Sequence, residues 1–90
     1  MLKIRKDVNL EVLEKYGFIK ETLEKGSLYL WKHENKNFVE NLIVICDTRT
    51  VFLNVVPIKG EGIHFVESLD IIHDLMIDGI IIKEDEVNEN

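Results

Sequence analysis

The stretch LIVICDTRTVFLNVV, residues 42–56, decides the fold. Two apolar, β-branched runs, Leu42–Cys46 and Val51–Val56, flank the polar break Asp47-Thr48-Arg49-Thr50. Runs of that length and composition, bounded by turn residues, predict the two strands of a hairpin at the centre of a sheet. The break holds no Gly and no Asn-Gly pair, so a four-residue loop built on a type I turn is expected rather than a two-residue primed turn. Pro57 has no N–H to donate and ends the pairing.

Working toward the N-terminus, the first of these strands reads from Phe38 to Cys46, after the polar loop Glu34-Asn35-Lys36-Asn37. Leu28–His33 is a further strand. It places Tyr29, Trp31 and His33 on one side and Leu28 and Leu30 on the other, so both faces carry bulky groups. Such a strand is central, or something covers its second face. Phe18–Leu23 makes another strand, joined to it by Glu24-Lys25-Gly26-Ser27. Asn9 is a good N-cap for a short helix over Leu10–Tyr16, with Val8 and Leu13 as a hydrophobic staple and Gly17 where a helix end favours positive φ. Residues 1–6, MLKIRK, alternate as a short strand or extended lead-in.

Working toward the C-terminus, Lys59-Gly60-Glu61-Gly62 reads as a flexible loop and Ile63–Val66 as a short strand. Ser68 is the expected N-cap of a second helix, Leu69–Asp78, closed by Gly79. Its apolar stripe would be Leu69, Ile72, Leu75 and Met76, broadened by Ile71. Ile80-Ile81-Ile82 suits an edge strand. The expected fold is α+β: a four- to five-stranded, mainly antiparallel meander with an N-terminal and a C-terminal helix packed on one face. Residues 1–83 form a single domain, and residues 84–90 form an acidic, disordered tail.

Composition narrows the function. Ninety residues with 46% hydrophobic content are enough for one core without staples. Eleven basic residues against 17 acidic give a net charge of −6, which opposes recognition of nucleic acid by phosphate neutralisation. The lone cysteine, Cys46, closes an apolar run and reads as packing rather than as a nucleophile. No intrachain disulfide can form, no long apolar N-terminal region marks a signal peptide, and no run approaches the roughly 20 apolar residues of a membrane span. The chain is read as cytoplasmic, with no membrane role and no cofactor.

No catalytic residue is assigned, because neither a nucleophile–base pair nor a phosphate loop stands at recognisable spacing. Tyr29, Trp31, His33 and Phe52 are the interaction candidates, since aromatic groups on a strand can anchor a partner. If the helices cover one sheet face, the other must meet solvent, a loop or a partner, and a homodimer is the commonest such arrangement. The nearest thing to a metal constellation is Asp70, His73 and Asp74, but His73 lies about a right angle around the helix from Asp74, and a solvated outer face is the preferred reading. The expectation is therefore a non-enzymatic protein acting through protein–protein contacts. Its rivals are a small metal-dependent hydrolase using Asp70, His73 and Asp74 or the loop at His64, and a nucleic-acid-associated protein using Lys3, Arg5, Lys6, Tyr29 and Trp31.

The opening KIRKDVNLEVLEKYGF (3–18) and the closing LDIIHDLMIDGIII (69–82) resemble small uncharacterised proteins encoded by phages and prophages of Gram-positive bacteria. The resemblance implies a single intracellular α+β domain. The expected non-enzymatic protein is then an accessory protein of phage or prophage type, and an acidic inhibitor of a host or defence protein is one variant of that reading. It carries no functional residues to transfer.

Overall fold

The computed structural model describes residues 1–58 and 66–84. The hairpin forms as expected, with β4 (Phe38–Ile45) paired antiparallel to β5 (Val51–Pro57) so that Val44 lies opposite Val51 and Phe38 opposite Pro57, but it lies at one side of its sheet rather than at the centre, with β5 as an edge strand. β3 (Gly26–Glu34) pairs with the other side of β4, and β2 (Ile19–Leu23) pairs with β3. The result is a four-stranded meander in the order β2-β3-β4-β5. Its local chemistry is simple. Gly26, at φ 148°, lets Glu24 and Lys25 turn the chain between β2 and β3. Asn35 Oδ1 accepts the N–H groups of Asn37 and Phe38 at 2.8 and 3.0 Å and shapes the β3–β4 connection.

The terminal segments depart from the expectation of one sheet. β1 (Leu2–Ile4) pairs antiparallel with β6 (Ile81–Lys83) as a separate two-stranded sheet. A bridge between Lys3 and Thr50 fastens it to the start of β5. Ile4 and Ile81 drive this pairing, since both are buried in the core. Glu84, assigned from sequence to a disordered tail, is held in place: its N–H donates to the Met1 carbonyl at 2.8 Å and its carboxylate meets Lys3 Nζ at 3.0 Å. The rest of that tail, and the loop and strand expected over 59–65, lie outside the described residues.

The N-terminal helix is a 3-10 piece over Leu10–Tyr16 rather than an α-helix. Asn9 caps it as expected, accepting the Glu11 N–H at 2.9 Å, and Gly17 closes it at φ 95°. Seven residues offer too few hydrogen bonds to offset nucleation of an α-helix, so buried Leu13 holds the segment down instead. The second helix, α1, starts earlier than expected, at Val66, and runs to Ile77. Ser68 is therefore not its N-cap but a fully buried residue of its first turn. The stripe is rotated accordingly. Ile72 and Leu75 are buried, whereas Leu69 and Met76 are exposed.

One hydrophobic core results. Leu13, Ile72, Leu75, Ile80, Ile4 and Ile81 come from the covering layer, and Phe18, Tyr29, Leu42, Val44 and Val51 come from the sheet and its edge. Among the described residues, everything that covers the sheet lies on one side of it.

Candidate functional site

Side chains alternate along a strand, so the register assigns each residue to a face. Tyr29 lies opposite Val44, Trp31 opposite Leu42 and His33 opposite Glu40, and all of these point toward the helices. The aromatic candidates from sequence therefore divide. Tyr29 is a core residue, its hydroxyl 3.5 Å from Glu14 Oε2; burial pushes its phenol pKa up, and the Glu14 charge adds to that. Trp31 is partly buried against the core, and His33 stacks on it with ring centroids 6.2 Å apart. Gly17 packs so closely on Trp31 that a Cβ there would stand 3.3 Å from the indole Cδ1. These three side chains are structural neighbours beneath the 3-10 helix. Phe52 does not join them, because its partner is Ile43 on the other face.

That other face is the notable surface of the molecule. Ile19 pairs with Leu30, Leu30 with Ile43 and Ile43 with Phe52, so one apolar row crosses all four strands. Ile19 is 66% exposed and Phe52 49%, while Leu30 and Ile43 at the centre are half-buried by their neighbours alone. The next row is Glu21, Leu28 and Ile45, and its Leu28 and Ile45 line a shallow concavity of about 160 Å³ together with Leu23, itself 56% exposed. On the opposite flank runs a polar row of Lys32, Asn41 and Asn54, followed by Val39 and exposed Val56. Within the paired strands this face carries only three charges, Glu21, Lys32 and Glu34, although 31% of the chain is charged. A contiguous apolar belt with a polar rim is the anatomy of an interaction surface.

Sequence reasoning did not single out Ile19, Leu23 and Ile43, which the registers place on this face. The signal was present in the second apolar set of β3, Leu28 and Leu30, but following it across the sheet requires the registers.

The other candidates take their places elsewhere. Asp70, His73 and Asp74 are exposed on α1, and among the described residues no three His, Cys, Asp or Glu side chains gather as a metal site. His64 lies outside the described residues. Cys46 is partly buried at the β4–β5 turn and packs on the core. In the N-terminal basic cluster, Lys3 pairs with Glu84 at 3.0 Å and Arg5 with Asp7 at 2.7 Å, so its own carboxylates offset two of its charges. Lys3 and Lys6 border a cleft of about 350 Å³ together with Arg49, whose guanidinium Nη1 donates to the carbonyls of Arg5 and Val8, both at 2.7 Å. Tyr16 donates a short hydrogen bond to Asp78, which pushes its pKa up to about 12. Among the described residues no helix is long and apolar enough to cross a membrane.

Compared with known proteins, the chain matches no family model, no curated protein and no solved structure.

Proposed function

We propose that this protein works by docking another protein surface on the open face of its four-stranded sheet, and not by transforming a small molecule. The observation that carries the reading is the exposed row Ile19, Leu30, Ile43 and Phe52, which nothing in the described chain covers. Leaving large side chains in water forgoes up to about 1.5–3 kcal/mol each, and a partner that covers them recovers it. An accessory protein of phage or prophage type, acting through protein contacts, would use such a surface.

An apolar dye such as bis-ANS tests the surface directly. At a concentration low enough to keep the chain monomeric, the wild type is expected to bind it, and the Phe52→Lys and Ile19→Lys variants are expected to lose most of that binding. Both positions are exposed, so at that concentration both variants should keep their stability within about 0.5 kcal/mol. Destabilisation of the monomer by several kcal/mol with either lysine would mean that the chain itself buries the face, and the reading would fail.

A second reading rests on the outward side of α1, where Glu67, Asp70 and Asp74 are exposed and form no ion pair among the described residues. It is an acidic contact to a basic partner, as an inhibitor would make. Its mark is binding that weakens with salt.

A further inference from the structure

The geometry points to a second copy of this chain as the occupant of the open face, packed sheet against sheet about a twofold axis parallel to the strands. This inference rests on the docking reading above and adds the partner and the symmetry.

The register selects the axis. A twofold parallel to the strands lays β2 over the partner's β5 and β3 over its β4. Within the apolar row, Ile19 then stands over the partner's Phe52, and Leu30 over the partner's Ile43. In the polar row, Lys32 stands over the partner's Asn41, so an ammonium meets an amide oxygen. No two like charges are superposed, and the one charge set over an apolar side chain, Glu34 over the partner's Val39, lies in the end row of β3 at the rim of the contact. A twofold across the strands would instead set Leu28 over the partner's Lys32 and bury a charge against leucine. Stacked sheets settle about 10 Å apart with strand directions within about 30°.

Area and charge agree with a second copy. β3 and β4 share seven paired positions, and strands about 3.4 Å per residue and 4.8 Å apart give a face of about 450 Å² in projection. Two such faces with their side-chain relief reach the roughly 1,000 Å² at which a specific contact begins. A strongly basic partner finds little to read here, since the face is nearly free of charge although the chain is at −6. The residues after Glu84, Asp-Glu-Val-Asn-Glu-Asn, bring one apolar side chain and do not match a belt of leucine, isoleucine and phenylalanine. Pairing through the free edge of β2 is the rival mode, but Lys20 and Glu21 on that strand, with Glu24 and Lys25 beyond it, carry the charges that blunt an edge.

The test is sedimentation equilibrium on the full chain from low micromolar to millimolar concentration, with Ile19→Glu and Phe52→Lys made separately. The wild type is expected to double its 10.5 kDa mass with a micromolar dissociation constant. Each variant alone is expected to associate at least tenfold more weakly. An equimolar mixture of the two should regain association, because the axis lays the introduced carboxylate over the introduced ammonium while the other Ile19–Phe52 contact stays native.

Three results overturn the proposal. They are a wild type that stays monomeric throughout, a wild-type dimer indifferent to both variants (as pairing through the β2 edge would be), and a mixture that fails to recover. Dye binding separates the two levels of the argument. A monomer that still binds bis-ANS, and loses it with Phe52→Lys, refutes the second copy and leaves the docking face standing, whereas a monomer that binds no dye refutes both.

Discussion

Replacing Glu40 tests how the helix is fastened to the sheet. Glu40 projects from the middle of β4 toward α1, is 1% exposed, and its Oε1 accepts both the N–H of Ser68 at 2.8 Å and the Ser68 hydroxyl at 2.5 Å. The first turn of a helix presents N–H groups that lack intrahelical acceptors, and here a strand supplies one from 28 residues away. Leaving a buried hydrogen-bond donor without its acceptor costs about 1–3 kcal/mol, and two donors sharing one oxygen do not add fully. Glu40→Ala also empties the space of a fully buried side chain, so a loss of about 2–5 kcal/mol is expected, in the range of other large-to-small changes in a core. That is a large part of the roughly 5–15 kcal/mol that holds a domain together. Glu40→Gln keeps the volume and one acceptor oxygen, and about 1–2 kcal/mol is expected. Ser68→Ala removes one donor at a similar cost, and the double variant should show coupling of about 1 kcal/mol or more. Urea unfolding followed by far-UV circular dichroism measures each value, and each kcal/mol displaces Tm by about 4–8 °C for a chain of this size. A Glu40→Ala variant within about 0.5 kcal/mol of wild type, the range of ordinary surface changes, would refute the reasoning.

Three further outcomes follow from local geometry. Gly17→Ala forces a side chain into φ 95° with its Cβ at 3.3 Å from Trp31, so a loss of about 1–2 kcal/mol and a shift in tryptophan fluorescence are expected; unchanged stability would contradict the close packing. Arg49 holds φ 63° while its Nη1 donates to two backbone carbonyls, so Arg49→Ala should lose about 1–3 kcal/mol in urea unfolding and Arg49→Gly less, because glycine adopts that conformation freely. Tyr16 titrates near 12 when folded against 10.0 when unfolded, chiefly through its hydrogen bond to Asp78. Folding thus favours the protonated phenol, and this contribution is whole below about pH 10 and lost as pH rises toward 12. The stability of Tyr16→Phe should fall less steeply across that window, and parallel curves would remove the Tyr16–Asp78 contact from the account.

Local chemistry was legible in the sequence wherever the deciding partner is a near neighbour. The Leu42–Val56 hairpin, the Asn9 cap and the glycines closing both helical segments needed only adjacent residues. The start of α1 did not, because the acceptor that satisfies the Ser68 N–H sits on β4. The second sheet was hidden for the same reason, since Leu2 and Lys83 meet only after the chain closes on itself. The division of the aromatic candidates turned on parity. With Tyr29 opposite Val44 and Val44 opposite Val51, Phe52 must face away from Tyr29, and one residue more or fewer in either connection would have reversed it. The open face could be anticipated from the bulky groups on both sides of β3, but its breadth across four strands could not.

The pairing of β1 with β6 has a mechanical side. Met1 and Glu84 leave the two strands at the same end, joined by the Glu84 N–H to the Met1 carbonyl. A pull applied through these two points loads the antiparallel hydrogen bonds one after another, as in opening a zipper, and not all together as in shear. Resistance at the ends is therefore low, and peeling would release Lys3 from Thr50 and Ile4 from Arg49 before it strained the meander. The same clasp that completes the core at rest is the first part to yield under tension, while the open sheet face stays whole.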